Sequence, residues 1–193
     1  MTRVRGLLLT PGAGSAADHH TLVAIERAVQ PTPTLRHDFP YRRNGKKAPD
    51  RAPVLLADLT EAAAGFAKKK RIPASSLVLG GRSMGGRICS MAVADGLPAA
   101  GLILISYPLH PPGKPERLRV EHLPALDVPC LFISGTRDAF GTPEELEKAT
   151  VAIRGPVTHV WIERGTHELK NADDQIVEAV VQWLKGGVRS ASD

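Results

Sequence analysis

The most restrictive feature of the chain is a set of short apolar runs that lack a polar face. Leu77-Val78-Leu79, Leu102-Ile103-Leu104-Ile105 and Cys130-Leu131-Phe132-Ile133 place hydrophobic side chains at consecutive positions rather than at alternate ones. A strand with one face in water alternates apolar with polar residues. A strand that is apolar throughout must be covered on both faces, the situation of a parallel sheet held between layers of helices. The segments between these runs are longer and carry apolar residues at helical spacing: Leu22, Ile25 and Val29; Leu55, Leu59, Ala62, Ala63 and Phe66; Ile88 to Ala94; and Ile176, Val177, Val180, Val181 and Leu184. With further strand candidates at Val4 to Thr10, Leu35 to Phe39 and Val157 to Ile162, the alternation predicts an α/β domain. Its sheet is doubly wound and mostly parallel, of about six strands, with helices on both faces. Residues 1–193 read as one domain without internal repeats.

Local punctuation supports this reading. Thr142-Pro143-Glu144-Glu145 has an N-cap Thr, Pro at the first helical position and Glu at the third, the pattern of a capping box. Asp95-Gly96 closes one helix and Gly186 stops the last one, for which Asn171 is the expected N-cap. The polar stretch Arg42-Arg43-Asn44-Gly45-Lys46-Lys47 reads as a mobile, exposed loop. Lys68-Lys69-Lys70-Arg71 ends a helix, where cations complement the macrodipole, so this run needs no phosphate to explain it.

Composition removes several classes of function. Aromatic residues make up only 4% of the chain, which leaves no platform for stacking single-stranded bases. The net charge of +5 is dispersed rather than gathered in one tract, so no nucleic-acid partner is expected. The only cysteines, Cys89 and Cys130, each have apolar neighbours and read as buried reduced thiols rather than a disulfide framework or a zinc cage. Leu7-Leu8-Leu9 is cut off by Thr10-Pro11-Gly12 too early for a secretory leader, and no apolar segment is long enough to span a bilayer. These features predict a cytoplasmic protein without membrane attachment, either a monomer or a homodimer paired through an edge strand.

In open parallel sheets ligands bind beyond the carboxyl ends of the strands, so chemistry is sought just after each apolar run. Gly81-Arg82-Ser83-Met84-Gly85 fits G-x-S-x-G and lies between a strand and a helix start. A serine hydroxyl becomes a competent nucleophile when an imidazole takes its proton, and the imidazole needs an acid to fix its tautomer. Asp138 follows the strand that ends at Ser134-Gly135, and His167 follows the strand that ends at Ile162. Three fitting residue types therefore stand after three strand ends, in the order Ser, Asp, His.

With these residues in place, the chain resembles the α/β-hydrolase superfamily, in particular small lid-poor serine hydrolases of the dienelactone-hydrolase-like group. Gly81-Arg82-Ser83-Met84-Gly85-Gly86, Gly135-Thr136-Arg137-Asp138 and Gly165-Thr166-His167-Glu168-Leu169 carry the resemblance. It implies a catalytic set of Ser83, Asp138 and His167, with an oxyanion hole formed by the Met84 N–H and, from Pro11-Gly12-Ala13-Gly14, the Ala13 N–H. Pro11 stands where the family commonly has histidine, and two N-terminal strands usual in the family are not seen. Only residues 107 to 129 separate two core strands, too few for a large lid. The implied activity is cleavage of a small or medium carboxylic ester or thioester through an acyl-enzyme, with no cofactor and no metal. Leu109, Pro111 and Pro112 are the expected apolar wall of its pocket.

Two other readings compete. Gly12-Ala13-Gly14-Ser15-Ala16-Ala17 also satisfies the dinucleotide fingerprint G-x-G-x-x-A, with Asp38 as the ribose ligand of an oxidoreductase. A protein of the same fold that mediates interactions without turnover is the third class. Arg82 and Arg87 near the elbow read as solvent-facing or ion-paired side chains. His19 and His20 open the first helix at the pocket rim, and as neighbours on a helix they do not form a metal pair. His37 and His110 have no partner evident from sequence.

Overall fold

The computed structural model describes residues 3–186. Its strands are β1 (Gly6–Thr10), β2 (Thr34–Arg36), β3 (Leu77–Arg82), β4 (Gly101–Ile105), β5 (Cys130–Gly135) and β6 (Val157–Ile162), joined in one sheet of order β2-β1-β3-β4-β5-β6. Every pairing is parallel. The helices are α1 (His20–Ala28), α2 (Pro40–Arg43), α3 (Ala52–Lys70), α4 (Met84–Ala94), α5 (Pro143–Thr150) and α6 (Asp173–Lys185). The chain reverses direction across the sheet after β2, so the carboxyl ends of β1 and β3 lie side by side at the switch point where such folds place their ligands.

The apolar runs end up where their lack of a polar face requires. Every residue of β3, β4 and β5 is buried. Alternate side chains enter two separate layers. Leu8, Leu79, Leu104 and Phe132 pack on one face with Leu59 and Phe66 of α3 and Cys89 and Val93 of α4. Leu7, Leu9, Ile103, Ile105, Leu131 and Ile133 pack on the other with Leu22 and Ile25 of α1 and Ile176 and Val180 of α6. Burying one such Leu or Ile stabilises the fold by about 1.5–3 kcal/mol, so these two layers are the main cohesive force. Both cysteines are free and buried, and burial pushes their thiols up to about 12. Among the described residues no helix is long and apolar enough to cross a membrane.

Three local expectations need correction. The strand expected over Leu35 to Phe39 is shorter and earlier, Thr34–Arg36, because Phe39 leaves the sheet to cap α2 and is fully buried. The loop expected at Arg42–Lys47 begins inside the helical turn α2, which is anchored by the fully buried ring of Tyr41; residues 43–47 are exposed as expected. Asn171 does not cap α6: it adopts a left-handed conformation (φ 58°), and the N-cap is Ala172. The acidic first turn of α6, Asp173 and Asp174, satisfies the macrodipole instead, and Asp173 accepts a hydrogen bond from the Thr21 hydroxyl at 2.7 Å. The capping box at Thr142 and Glu145 is formed as read, with both reciprocal bonds present.

Candidate active site

β3 ends at Arg82, and Ser83 occupies the sharp turn into α4 with φ 46° and ψ −117°. A non-glycine residue is strained there, and the turn survives because its neighbours leave no alternative. A Cβ on Gly81 would collide with the Thr10 carbonyl, and one on Gly85 would lie 2.5 Å from the Pro11 carbonyl. The two glycines of the motif thus let β1 press against the elbow from both sides. The Ser83 N–H donates to the Ile105 carbonyl at 2.8 Å, which ties the elbow to β4 as well.

The structure brings the three sequence-predicted residues together. Ser83 Oγ is 2.8 Å from His167 Nε2. His167 Nδ1 lies 2.8 Å from Asp138 Oδ2 and 3.0 Å from Oδ1. The Asp138 side chain is almost fully buried, and its Oδ1 accepts the Phe140 N–H at 2.8 Å, which fixes the carboxylate plane. Phe140 in turn stacks on the His167 ring, with centroids 3.9 Å apart. Asp138 and His167 are neighbours in space because their loops cross at Gly135 and Gly165, where a Cβ on Gly135 would strike the Gly165 backbone.

The loop after β1 faces Ser83. A Cβ on Gly12 would stand 3.6 Å from the Ser83 Cβ. The Gly12 carbonyl accepts from Ser15 N at 3.2 Å and from Ser15 Oγ at 3.3 Å, while the Tyr41 hydroxyl donates to the Ala13 carbonyl at 2.9 Å. In a trans peptide the N–H points opposite to the carbonyl, so pinning the Gly12 carbonyl on one side turns the Ala13 N–H to the other. Met84 opens α4, so its N–H has no acceptor within the helix and carries the positive end of the helix dipole. Gly12, Ala13, Gly14, Ser15, His19, Arg82, Ser83, Phe140, His167 and Glu168 line a cavity of about 470 Å³ above these groups.

Of the other candidates read from the sequence, His19 and Arg82 line the cavity and His20, His37, His110, Asp38 and Arg87 do not. Leu109 is fully buried, and neither it nor Pro111 or Pro112 lines the cavity, whose apolar lining includes Ala13 and Phe140 instead. Asp38, the expected ribose ligand, accepts the Ala17 N–H at 2.8 Å and so closes the loop before α1. Arg82 is not solvent-facing: it is 5% exposed, burial lowers its pKa, and its ion pair with Glu168 is a loose one at 3.8 Å. Arg87 is half-buried and lies near Arg119 and His122, whose pKa values its charge helps to depress. His20 pairs with Asp173, His37 with Asp58, and the buried His110 with Glu145. Sequence reasoning did not find Phe140, Ser15, Tyr41 or the buried role of Arg82. For Phe140 a signal existed, its position two residues after the acid. Tyr41 is distant in sequence from everything it touches.

An all-parallel sheet with a strained serine elbow at its switch point, facing a histidine and an acid from later strand ends, defines a hydrolase of the α/β type. The chain belongs to the alpha/beta hydrolase domain family, whose sequence profile matches residues 3–184. Solved structures of similar fold include Est1E from Butyrivibrio proteoclasticus, 16% identical, covering 96% of this chain and 89% of that one with a TM-score of 0.72. A dienelactone hydrolase from Anabaena variabilis is 19% identical over 96% and 88% of the two chains, with a TM-score of 0.74. The esterase domain of a Rhodothermus marinus protein is 18% identical over 98% and 90%, with a TM-score of 0.70.

Proposed function

We propose that the protein is a serine esterase that cleaves small or medium carboxylic esters or thioesters through an acyl-enzyme. The observation that carries this reading is the continuous hydrogen-bonded line from Ser83 Oγ through His167 to Asp138, starting from a serine held at φ 46°. In the first step His167 Nε2 takes the Ser83 proton as Oγ attacks the carbonyl carbon. Asp138 holds the Nδ1 proton and stabilises the imidazolium, and the Met84 and Ala13 N–H groups receive the oxyanion. The imidazolium then protonates the leaving alcohol or thiol. In the second step His167 activates a water that releases the acid and restores Ser83. Losing one oxyanion donor in such a site costs about 3 kcal/mol of transition-state stabilisation, a factor of roughly 10² in rate.

The cavity of about 470 Å³, in which Ala13 and Phe140 stand beside Ser15, His19 and Glu168, supports a small or medium acyl group. Ferulic acid bound to the similar fold of Est1E is consistent with a compact carboxylic product. A fluorophosphonate probe compared on the wild type and Ser83→Ala tests the nucleophile, and a panel of p-nitrophenyl esters with thioester and amide analogues tests the substrate class. Labelling and turnover that vanish in Ser83→Ala, with acetate and butyrate esters preferred, are expected. Equal labelling of both proteins refutes Ser83 as the nucleophile, and no labelling of a folded wild type refutes the reading and leaves an interaction protein of the same fold.

A further inference from the structure

Arg82 is the least economical residue of the fold. As the last residue of β3 it sends its side chain under the loops that precede α1 and α6, and it lines the same cavity as Ser83. There its side chain is 6% exposed. It meets three neutral acceptors: Nη1 donates to His19 Nε2 at 2.7 Å, and Nη2 donates to the carbonyls of His167 at 3.2 Å and Glu168 at 3.0 Å. The nearest carboxylate oxygen, Glu168 Oε2, is 3.8 Å away on a side chain that is 64% exposed. Glu168, Asp173 and the buried Asp138 favour its charge, yet none of their carboxylates is hydrogen-bonded to it and burial still lowers its pKa, so an apolar side chain of similar length would serve stability better. Such a residue calls for another explanation.

The loop it holds supplies that explanation. Between β6 and α6, Arg164, Leu169 and Asn171 have φ values of 59°, 47° and 58°. Three left-handed non-glycine residues in one short loop persist only where the surroundings over-determine them. Two fastenings bind the loop's near end, from Arg137 N to the Gly165 carbonyl and from Arg164 N to Thr136 Oγ1, each at 2.8 Å. Arg82 fastens the next stretch, and one of its acceptors is the backbone carbonyl of His167 itself.

We propose that Arg82 is the positioning residue of this site: its planar fork clamps the His167 loop and the start of α1 to the strand that bears Ser83, and so sets the Ser83–His167 distance. This rests on the reading of Ser83 and His167 as reacting groups. The fork geometry matters, since guanidinium offers five donors in a fixed plane and an ammonium does not. His19 completes the clamp. Guanidinium has no lone pair, so His19 must accept at Nε2 and keep its proton on Nδ1, and the longer 3.3 Å approach of Thr21 N to Nδ1 is the contact given up. Burial, with the charges of Arg82 and His20, lowers His19 to about 4 and preserves this acceptor at neutral pH.

The test combines kinetics with a readout independent of turnover. In Arg82→Met, kcat on the preferred p-nitrophenyl ester falls about 100-fold, the usual cost of an ångström-scale misplacement, while KM changes by less than about threefold. Arg82→Lys recovers less than about a tenth of the loss, because one ammonium cannot reach all three acceptors. In parallel, the low-field proton resonance of His167 Nδ1–H, assigned by its absence in His167→Gln, is sharp in the wild type and in Ser83→Ala but shifted or broadened in both Arg82 variants. A kcat within about threefold of wild type, or an unchanged resonance, overturns the proposal. Should Arg82→Met fail to fold, Arg82→Lys decides alone by the same two readouts. If the wild type shows no Ser83-dependent turnover, the esterase reading falls, and the resonance still decides whether Arg82 positions His167.

Discussion

The strain at Ser83 can be weighed by replacing the residue twice. Ser83→Ala and Ser83→Gly both remove the hydroxyl and its hydrogen bond to His167, so that loss cancels in a comparison of the two variants. No capping bond is lost either, since the Ser83 side chain makes none to α4. What differs is the cost of holding φ 46° and ψ −117° with or without a Cβ. A non-glycine residue in such a region is strained by about 1–3 kcal/mol, and glycine gives back about 0.4–1 kcal/mol through the greater freedom of its unfolded chain. Ser83→Gly is therefore more stable than Ser83→Ala by about 0.5–2 kcal/mol, roughly 1–8 °C in Tm for a domain of this length. Parallel thermal and urea melts by circular dichroism measure the margin. Glycine also has an ordinary advantage over alanine at a helix N-cap, and Arg51 calibrates it: it caps α3 with φ −66° and no side-chain bond. The Gly-over-Ala margin is expected to be larger at position 83 than at position 51. Equal margins, or an alanine variant at 83 that melts above the glycine variant, would refute the idea that the elbow stores strain.

Gly85→Ala forces a Cβ to 2.5 Å from the Pro11 carbonyl, a backbone atom that cannot swing aside; a loss of about 2 kcal/mol or more is expected, read as a fall in urea midpoint, and a neutral effect would contradict the packing of β1 against the elbow. Phe140→Ala removes the ring stacked on His167, worth about 0.5–1.5 kcal/mol, so kcat/KM falls roughly 2- to 10-fold, and an unchanged value would show that the stack orients nothing. His19 and His122 are both lowered to about 4, burial being the largest cause in each. The unfolded chain thus binds these protons near pH 6.5 and the folded chain only near pH 4, so their contribution to stability is complete above about 6.5 and falls as pH drops through that window, by at most about 1.4 kcal/mol per pH unit for each histidine and by less where solvent reaches the ring. Urea midpoints between pH 7.5 and 4.5 check this, and His122→Gln, remote from the cavity, should flatten the slope by about half; a flat wild-type profile would show that the two rings are not held neutral.

What could be read from the chain depended on whether a residue acts through its neighbours in sequence or across the fold. Leu102 to Ile105 announce a buried parallel strand because burial on both faces is written in consecutive positions. That Ser83, Asp138 and His167 meet was legible because strand ends converge in such a sheet whatever the details of its loops. Arg82 misled, since arginine at a strand end is ordinarily at the surface, and only the three-dimensional approach of His19 and the carbonyls of His167 and Glu168 makes its burial tolerable. Leu109 misled in the opposite sense: it follows a strand near the cavity, but it packs into the core behind Gly141. Tyr41 was lost in a basic stretch whose charges outweighed one ring that tertiary packing draws inward. Asn171 has the residue type of a cap and the backbone of a loop bend, a choice that propensity alone does not settle.

The strand order also governs how the molecule assembles. Gly6 pairs with Leu77 and Leu102 with Cys130, so each sheet contact closes a crossover and no hairpin is available to nucleate it. Topologies dominated by such non-local pairings fold slowly compared with helical bundles of similar stability. Ser83 and His167 are 84 positions apart, and they meet only after β6 has docked on β5. A chain in which β1, β3 and β4 are paired but β6 is not holds the strained serine with no imidazole beside it. On the proposed reading of Ser83, recovery of its reactivity during refolding reports the docking of β6 on β5.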